Sequence, residues 1–341
     1  MTPPVTAAAA LLALAALCGC ATDSAPATEA PPQKSAIQSA AVPPASNAAT
    51  DARLVPADTT LALDGETRAL FQDIFARAEA ENWQALPYGQ IIQRVGEALR
   101  GQPYEAGLLD APEEETLVVT LRAFDCLLYV ENVLALSEMV ATGKSDYASY
   151  VEGVKRLRYR GGEMGSYCSR LHYFTEWIRD NEEMGTVRDV SREAGGVRLP
   201  KEISFMTENR DAYPKLVSDA TYACIADMEA TLADVEIVYI PQDRIAEAYG
   251  FMQAGDIIAT ATDIGGLDVT HNGFVYKHED GGTGFIHASL SGKEVLISHD
   301  LQRYVQSVRA QVGVVLVRPL DPRRASGASP EAGRPAPEAG G

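Results

Sequence analysis

Arg122-Ala123-Phe124-Asp125-Cys126-Leu127-Leu128-Tyr129-Val130-Glu131 is the stretch on which the fold of this chain turns. After Cys126 the apolar residues Leu127, Val130, Leu134 and Val140 recur at roughly helical spacing, which predicts a helix beginning at the cysteine. A side chain there lies beside the unpaired N–H groups and positive dipole end of the helix, which favour thiolate over thiol. Asp125 suits a helix cap or a loop support better than a reacting group. Most lone cysteines are core residues, so Cys126 alone decides little. Two of the five histidines add to it: His271 in His271-Asn272-Gly273-Phe274, and His287 in Ile286-His287-Ala288-Ser289. Both fall in strand-like segments far downstream. A thiol at a helix start, followed by imidazoles on later strands, suits a nucleophile with its base.

Outward from this stretch the hydrophobic period changes once. Residues 64–100 read as helical, with Leu70, Ile74, Ala78, Ile91, Ile92, Val95 and Leu99 on the apolar face. Residues 145–180 read as mostly helix, through Tyr147, Tyr150, Val154, Leu157, Tyr173, Trp177 and Ile178. From about 235 the period is two, predicting strands at 235–240, 256–260, 269–276, 284–288, 293–298 and 313–317. Helices followed by strands predict an α+β fold with an antiparallel sheet. Its body spans 61–320, with a helical N-terminal part.

The flanks have other compositions. Ala7 to Leu17 is apolar but too short to cross a membrane. It leads into Leu17-Cys18-Gly19-Cys20, which resembles a bacterial lipobox, although no Lys or Arg precedes it. This implies a signal peptide over 1–19, lipidation of Cys20, and an anchor in the bacterial cell envelope. With Ala21 after Cys20, the resemblance points to the outer membrane, facing the periplasm. Residues 20–60 are rich in Ala, Pro, Ser and Thr and read as a disordered tether; 321–341 read as a disordered tail. Cys168 and Cys224 either pair or remain buried thiols. The net charge of −18 argues against a nucleic-acid partner. No phosphate loop, zinc spacing or internal repeat occurs in the chain, and neither a metal nor another cofactor is expected.

The order of motifs is similar to the NlpC/P60 superfamily of cell-wall cysteine peptidases: Asp125-Cys126 at a helix start, Gly255-Asp256-Ile257-Ile258, a His-x-Gly strand, then Ile286-His287-Ala288-Ser289. One branch fits further, the DUF1460 family of N-acetylmuramoyl-L-alanine amidase-like proteins. Its likeness covers about 95–320 and includes Arg158-Tyr159-Arg160-Gly161, Leu171-His172-Tyr173 with Trp177, and Gly266-Leu267-Asp268-Val269-Thr270-His271. This chain departs from the branch at Leu127 and Leu128, where small polar residues are usual.

The resemblance implies a papain-like fold with added helical segments, and these roles. Cys126 attacks an amide carbonyl, His271 moves the proton, and His287 orients His271. Tyr104 and Asp125 flank the thiol, orienting it or substrate, and the Cys126 N–H helps to hold the oxyanion. Arg158, Tyr159, Arg160, Arg170, His172 and Tyr173 select substrate, although this group also reads as a helix face meeting Glu152, Glu163 or Glu176. His278 and His299 fit no motif and are expected at the surface. The implied reaction is cleavage between N-acetylmuramic acid, as the 1,6-anhydro form, and L-alanine in peptidoglycan fragments. Two alternatives stand beside it: an endopeptidase cutting γ-D-glutamyl to diamino-acid bonds, and a non-catalytic envelope lipoprotein that binds wall fragments.

Overall fold

The computed structural model describes residues 54–55 and 65–325 of the chain. The proposed signal peptide, Cys20 and nearly all of the tether and tail lie outside the described residues. Helices dominate the first part: α1 (Gly65–Ala80), α2 (Tyr88–Ala98), α3 (Cys126–Thr142), α4 (Tyr147–Arg158), α5 (Phe174–Glu183), α6 (Phe205–Glu208) and α7 (Asp219–Thr231). Two follow late, α8 (Leu301–Ser307) and α9 (Pro322–Ala325). Four strands are short: β1 (Leu54–Val55), β2 (Leu117–Val118), β3 (Val187–Asp189) and β4 (Val197–Leu199). Six are β5 (Ile237–Pro241), β6 (Ile257–Thr262), β7 (Val269–Lys277), β8 (Thr283–Ser289), β9 (Glu294–Ser298) and β10 (Gln311–Pro319).

All six strands expected after residue 235 form, in one eight-stranded sheet of order β4-β5-β10-β6-β7-β8-β9, with β3 also paired to β10. Every pairing is antiparallel. Side chains alternate faces along each strand. Ile257, Ala259, Phe274, Ile286 and Val315 meet the helical core, whereas Ile258, Val275, Phe285 and Val314 meet a second cluster with Leu301 and Val305 of α8. The sheet is therefore covered on both faces, and hydrophobic burial on each side fixes its register.

The helix that begins at Cys126 is the centre of the helical layer. Every residue from Leu128 to Ser137 is buried, because α2, α4 and β7 surround it. A helix covered all round is apolar all round, so its face cannot be read from spacing. Asp125 caps it, accepting the Leu128 N–H at 2.8 Å. Gly143 ends it at φ 72°, the left-handed conformation that glycine adopts without strain. A Cβ on Gly153 of α4 would come within 3.2 Å of the Ala135 Cβ, so the missing side chain sets how closely α4 packs.

Two boundaries differ from the expected ones. Leu54–Val55, read as tether, pairs with Leu117–Val118. Pro322–Ala325, read as tail, forms α9, and the Arg323 guanidinium donates to the Gln84 carbonyl at 2.8 Å and to Asp321. Composition is an average over a whole segment. It could not show that a neighbour supplies the partner groups. The Gly255-Asp256 motif also has a structural use: Asp256 takes two bonds from Arg318, at 2.8 and 2.7 Å, clamping β6 to β10.

Cys168 and Cys224 form a disulfide that joins the α4–α5 connection to α7. Cys126 is the free cysteine among the described residues and is partly buried.

Candidate active site

The thiol of Cys126 sits at the start of α3, beside β7, where the sheet opens. The β7–β8 ladder runs from Phe274 with Ile286 to Lys277 with Thr283. Asn272 lies beyond its end, and its N–H turns to the Cys126 sulfur. The N–H groups of Leu127 and Cys126 also face the sulfur. These three donors stabilise thiolate, as the sequence leads one to expect, but they are outweighed. Burial, and then the Asp125 carboxylate, push the Cys126 thiol up to about 12. At that value the helix start holds a neutral thiol where its N–H groups alone would favour thiolate, because burial first and the Asp125 charge second disfavour a charged sulfur.

His271 and His287 project from neighbouring strands and meet: His271 Nε2 lies 2.7 Å from His287 Nδ1. His287 Nε2 in turn lies 3.1 Å from Ser298 Oγ on β9. A consistent assignment of protons runs in one direction. In the assignment that suits a base, Ser298 accepts from His287 Nε2–H, and His287 Nδ1 accepts from His271 Nε2–H; with Ser298 donating, the order reverses. The first order leaves His271 Nδ1 unprotonated, as a base requires. Burial lowers His271 to about 4, and lowers His287 further, with the His271 charge adding. The pair is neutral at neutral pH.

Two tyrosines complete the surround. Tyr104 is placed by a parallel bridge to Phe124 and by its N–H to the Lys293 carbonyl at 2.9 Å. Its hydroxyl is held protonated by burial and by the nearby Cys126. Tyr304, from α8, is also held protonated by burial and then Cys126. Tyr304 was not expected: α8 is too short for its periodicity to stand out, and a single tyrosine carries no motif. The same is true of Asn272 and Ser298, which act through a backbone N–H and a hydroxyl that any strand could supply.

The residues expected to select substrate have other partners. Arg158 and Glu131 are both 0% exposed and form an ion pair at 2.7 Å between α4 and α3. Tyr159 is buried and donates to Glu115 at 2.7 Å. Arg170 is buried; it donates to the Leu109 carbonyl at 2.9 Å and to Asp110, and lies over the Tyr167 ring. Tyr173 donates to Glu229 at 2.7 Å, and its oxygen accepts the Met206 N–H. His172 bonds to the Tyr167 carbonyl at 2.8 Å. Burial, with Arg170 beside it, lowers His172 to about 3. Arg160, with 42% of its side chain exposed, pairs with Glu176, the helix partner foreseen for this group. For Arg158, Tyr159, Arg170 and Tyr173 the expectation is therefore corrected: each is buried and bonded to partners within the protein, although one Arg158 guanidinium nitrogen has no partner. The Gly266-to-His271 motif has a similar job at Asp268, which caps α5 by accepting the Thr175 N–H at 2.7 Å and so ties β7 to the helices. His278 and His299, expected at the surface, stack on each other with centroids 4.6 Å apart; His299 is exposed and His278 partly so.

The arrangement can do acyl-transfer chemistry: a thiol with backbone donors, an unprotonated imidazole nitrogen whose other nitrogen is fixed, and neutral hydroxyls nearby. Comparison with known proteins agrees with this fold. The N-acetylmuramoyl-L-alanine amidase-like family (AmiA-like) matches residues 94–314. No curated protein matches the chain. An N-acetylmuramoyl-L-alanine amidase from Bacteroides uniformis has a similar solved structure, at 29% identity and TM-score 0.64, covering 68% of this chain and 99% of its own. A Bacteroides fragilis protein proposed to be a xylanase is similar at 27% identity and TM-score 0.61, covering 66% of this chain and 99% of its own. A Legionella pneumophila protein of the DUF1460 family shares the fold at 18% identity and TM-score 0.56, covering 75% and 94%. The match spans the Cys126 helix and both histidine strands, and on that basis the chain belongs to the N-acetylmuramoyl-L-alanine amidase-like family, as an amidase-like hydrolase of the cell-wall kind.

Proposed function

We propose that this protein hydrolyses the amide between N-acetylmuramic acid, in its 1,6-anhydro form, and L-alanine, with Cys126 as nucleophile and His271 as base. The observation that carries the reading is the His271–His287 hydrogen bond on the strand whose next residue, Asn272, turns its N–H to the Cys126 thiol. Cys126 Sγ attacks the lactyl carbonyl carbon as its proton passes to His271 Nδ1. The tetrahedral oxyanion is held by the Cys126 N–H and the Tyr104 hydroxyl. Collapse breaks the C–N bond, and His271 gives its proton to the departing amine of L-alanine. Water, deprotonated by His271, then attacks the thioester, and the muramic carboxylate and the thiol are released. Because thiol and imidazole are both neutral at rest, proton transfer accompanies attack rather than preceding it. The family supports the amide bond as the target, and the resemblance to the DUF1460 branch supports the anhydro sugar.

The protein is proposed to work from a lipid anchor at Cys20 in the bacterial outer membrane, facing the periplasm. The Cys168–Cys224 disulfide supports an oxidising compartment. Lipid mass on the peptide that begins at Cys20, lost in Cys20→Ala, is the expected result; an unmodified peptide would refute the anchor.

The test of the reaction is mass spectrometry of products from anhydro- and reducing-end muropeptides. Release of stem peptides beginning with L-alanine, from the anhydro form first, is expected for wild type and not for Cys126→Ser. Products cut after D-glutamate would favour the endopeptidase. No product from folded wild-type protein would favour a binder of wall fragments.

A further inference from the structure

Tyr304 makes contacts that the reaction scheme does not use. Its ring centroid lies 4.7 Å from that of His287, 6.1 Å from His271 and 5.0 Å from Phe285. Phe285 in turn stacks on His287 at 4.5 Å and meets the His271 edge at 5.8 Å. The two imidazoles are thus packed between one ring from their own strand layer and one from α8. The hydroxyl of Tyr304 accepts from the Gln311 side chain, which also reaches Thr270 Oγ1 at 3.4 Å. Gln311 and Thr270 belong to β10 and β7, so the ring is tied at its far end to the strand that carries His271. The helix that carries it is fixed too: Asp300 caps α8, accepting the Arg303 N–H at 2.8 Å.

We infer that Tyr304 is a positioning residue for this site: its ring seals the His271–His287 hydrogen bond from water and so keeps His271 unprotonated as a base. The inference rests on the Cys126–His271 reading above. A hydrogen bond between two neutral imidazoles is easily lost to water or to a proton, and an apolar cover removes both competitors. The groups facing the pair are few. Ser298 from β9 and Tyr304 from α8 touch it, and Cys126, Asp125 and Tyr104 gather around the thiol beside Tyr304. None of these is a cation that would itself hold the imidazoles neutral, so their low basicity depends on burial, and Tyr304 supplies the α8 side of it. The hydroxyl is a tether and the ring is the seal, which separates two variants: Tyr304→Phe keeps the seal, and Tyr304→Leu removes it.

The test follows the imidazole directly. Histidine ring signals are titrated by NMR in the full chain, assigned by single His→Gln changes, for wild type, Tyr304→Phe and Tyr304→Leu. The same proteins are assayed for kcat/KM against pH on a muropeptide. His271 should titrate near its wild-type position in Tyr304→Phe and at least one pH unit higher in Tyr304→Leu. The acid limb of kcat/KM should move with it, leaving Tyr304→Leu about twofold less active than wild type at pH 5 but close to it at pH 7.5. Tyr304→Met serves if the leucine variant does not fold. An unmoved His271 in a folded Tyr304→Leu or Tyr304→Met protein would overturn the inference, and so would an equal shift in Tyr304→Phe. The NMR readout needs no turnover, so failure of this inference remains distinct from failure of the amidase reading.

Discussion

Asp125 carries two opposed duties, and replacing it with asparagine separates them. As a cap it accepts the Leu128 N–H at 2.8 Å, which an asparagine oxygen can do equally well. As a charge it is the second cause, after burial, of the rise of the Cys126 thiol from 9.0 to about 12. A neighbouring charge typically shifts a pKa by 1–3. Since Asp125 ranks behind burial within a rise of about three, its removal should lower the thiol pKa by about one. At pH 8, far below the pKa, that gives about tenfold more thiolate. Intrinsic nucleophilicity falls as basicity falls, with a Brønsted slope of about 0.4–0.5, which returns a factor of about three. The net expectation for Asp125→Asn is about threefold faster reaction of Cys126 with an aromatic disulfide at pH 8, with thermal stability little changed. Asp125→Ala, which loses the cap as well, should react faster but be about 1 kcal/mol less stable. Equal or slower reaction in folded Asp125→Asn would refute the claim that the capping charge holds the thiol neutral.

Three further outcomes are expected. His271→Ala should lose nearly all turnover on muropeptides, whereas His287→Gln keeps part of it, because the amide oxygen can still accept from His271; the double variant should be little worse than His271→Ala alone, and additive losses would break the pair. His172 is at about 3 in the folded protein against an ordinary 6.5, so below 6.5 the unfolded chain binds a proton that the folded one does not, and stability falls as pH falls. His172→Gln should therefore lose about 2 kcal/mol less than wild type between pH 7 and pH 5 in denaturant titrations, and identical losses would count against it. Arg158→Met strands Glu131 without its buried partner, which typically costs about 3–5 kcal/mol; the melting temperature should drop while kcat/KM per folded molecule holds, and a raised KM at unchanged stability would return Arg158 to the substrate.

The strands and the pairing of histidines were legible because their signal is local. A period of two survives in β6, β7 and β8, and the register of the sheet brings His271 and His287 together once both strands form. The helix at Cys126 was legible through the spacing of Leu127, Val130, Leu134 and Val140, although its burial on all sides left no single face to read. The arginine cluster was misread for a physical reason. Arg158, Arg160 and Arg170 have the same chemistry, but Glu131, Glu176 and Asp110 come from three different places in the chain, and sequence does not say which guanidinium is already neutralised. The thiol was misread because two nearby effects have opposite sign, and only the fold fixes how deeply the sulfur is buried.

The place of β10 has a consequence for how this site comes into being. It is the last strand of the sheet in sequence, yet it lies inside, between β5 and β6, and also receives β3. Pairings of such long range are slow to form, because loop closure must precede the contacts that reward it. A ribosome makes the Cys126 helix well before it makes Gln311 to Pro319. Until that strand inserts, β6 has an open edge, β7 has no firm neighbour behind it, and the ring of Tyr304 has no anchor in Gln311. The residues around the Cys126 thiol are therefore brought together only when the last strand of the sheet is in place.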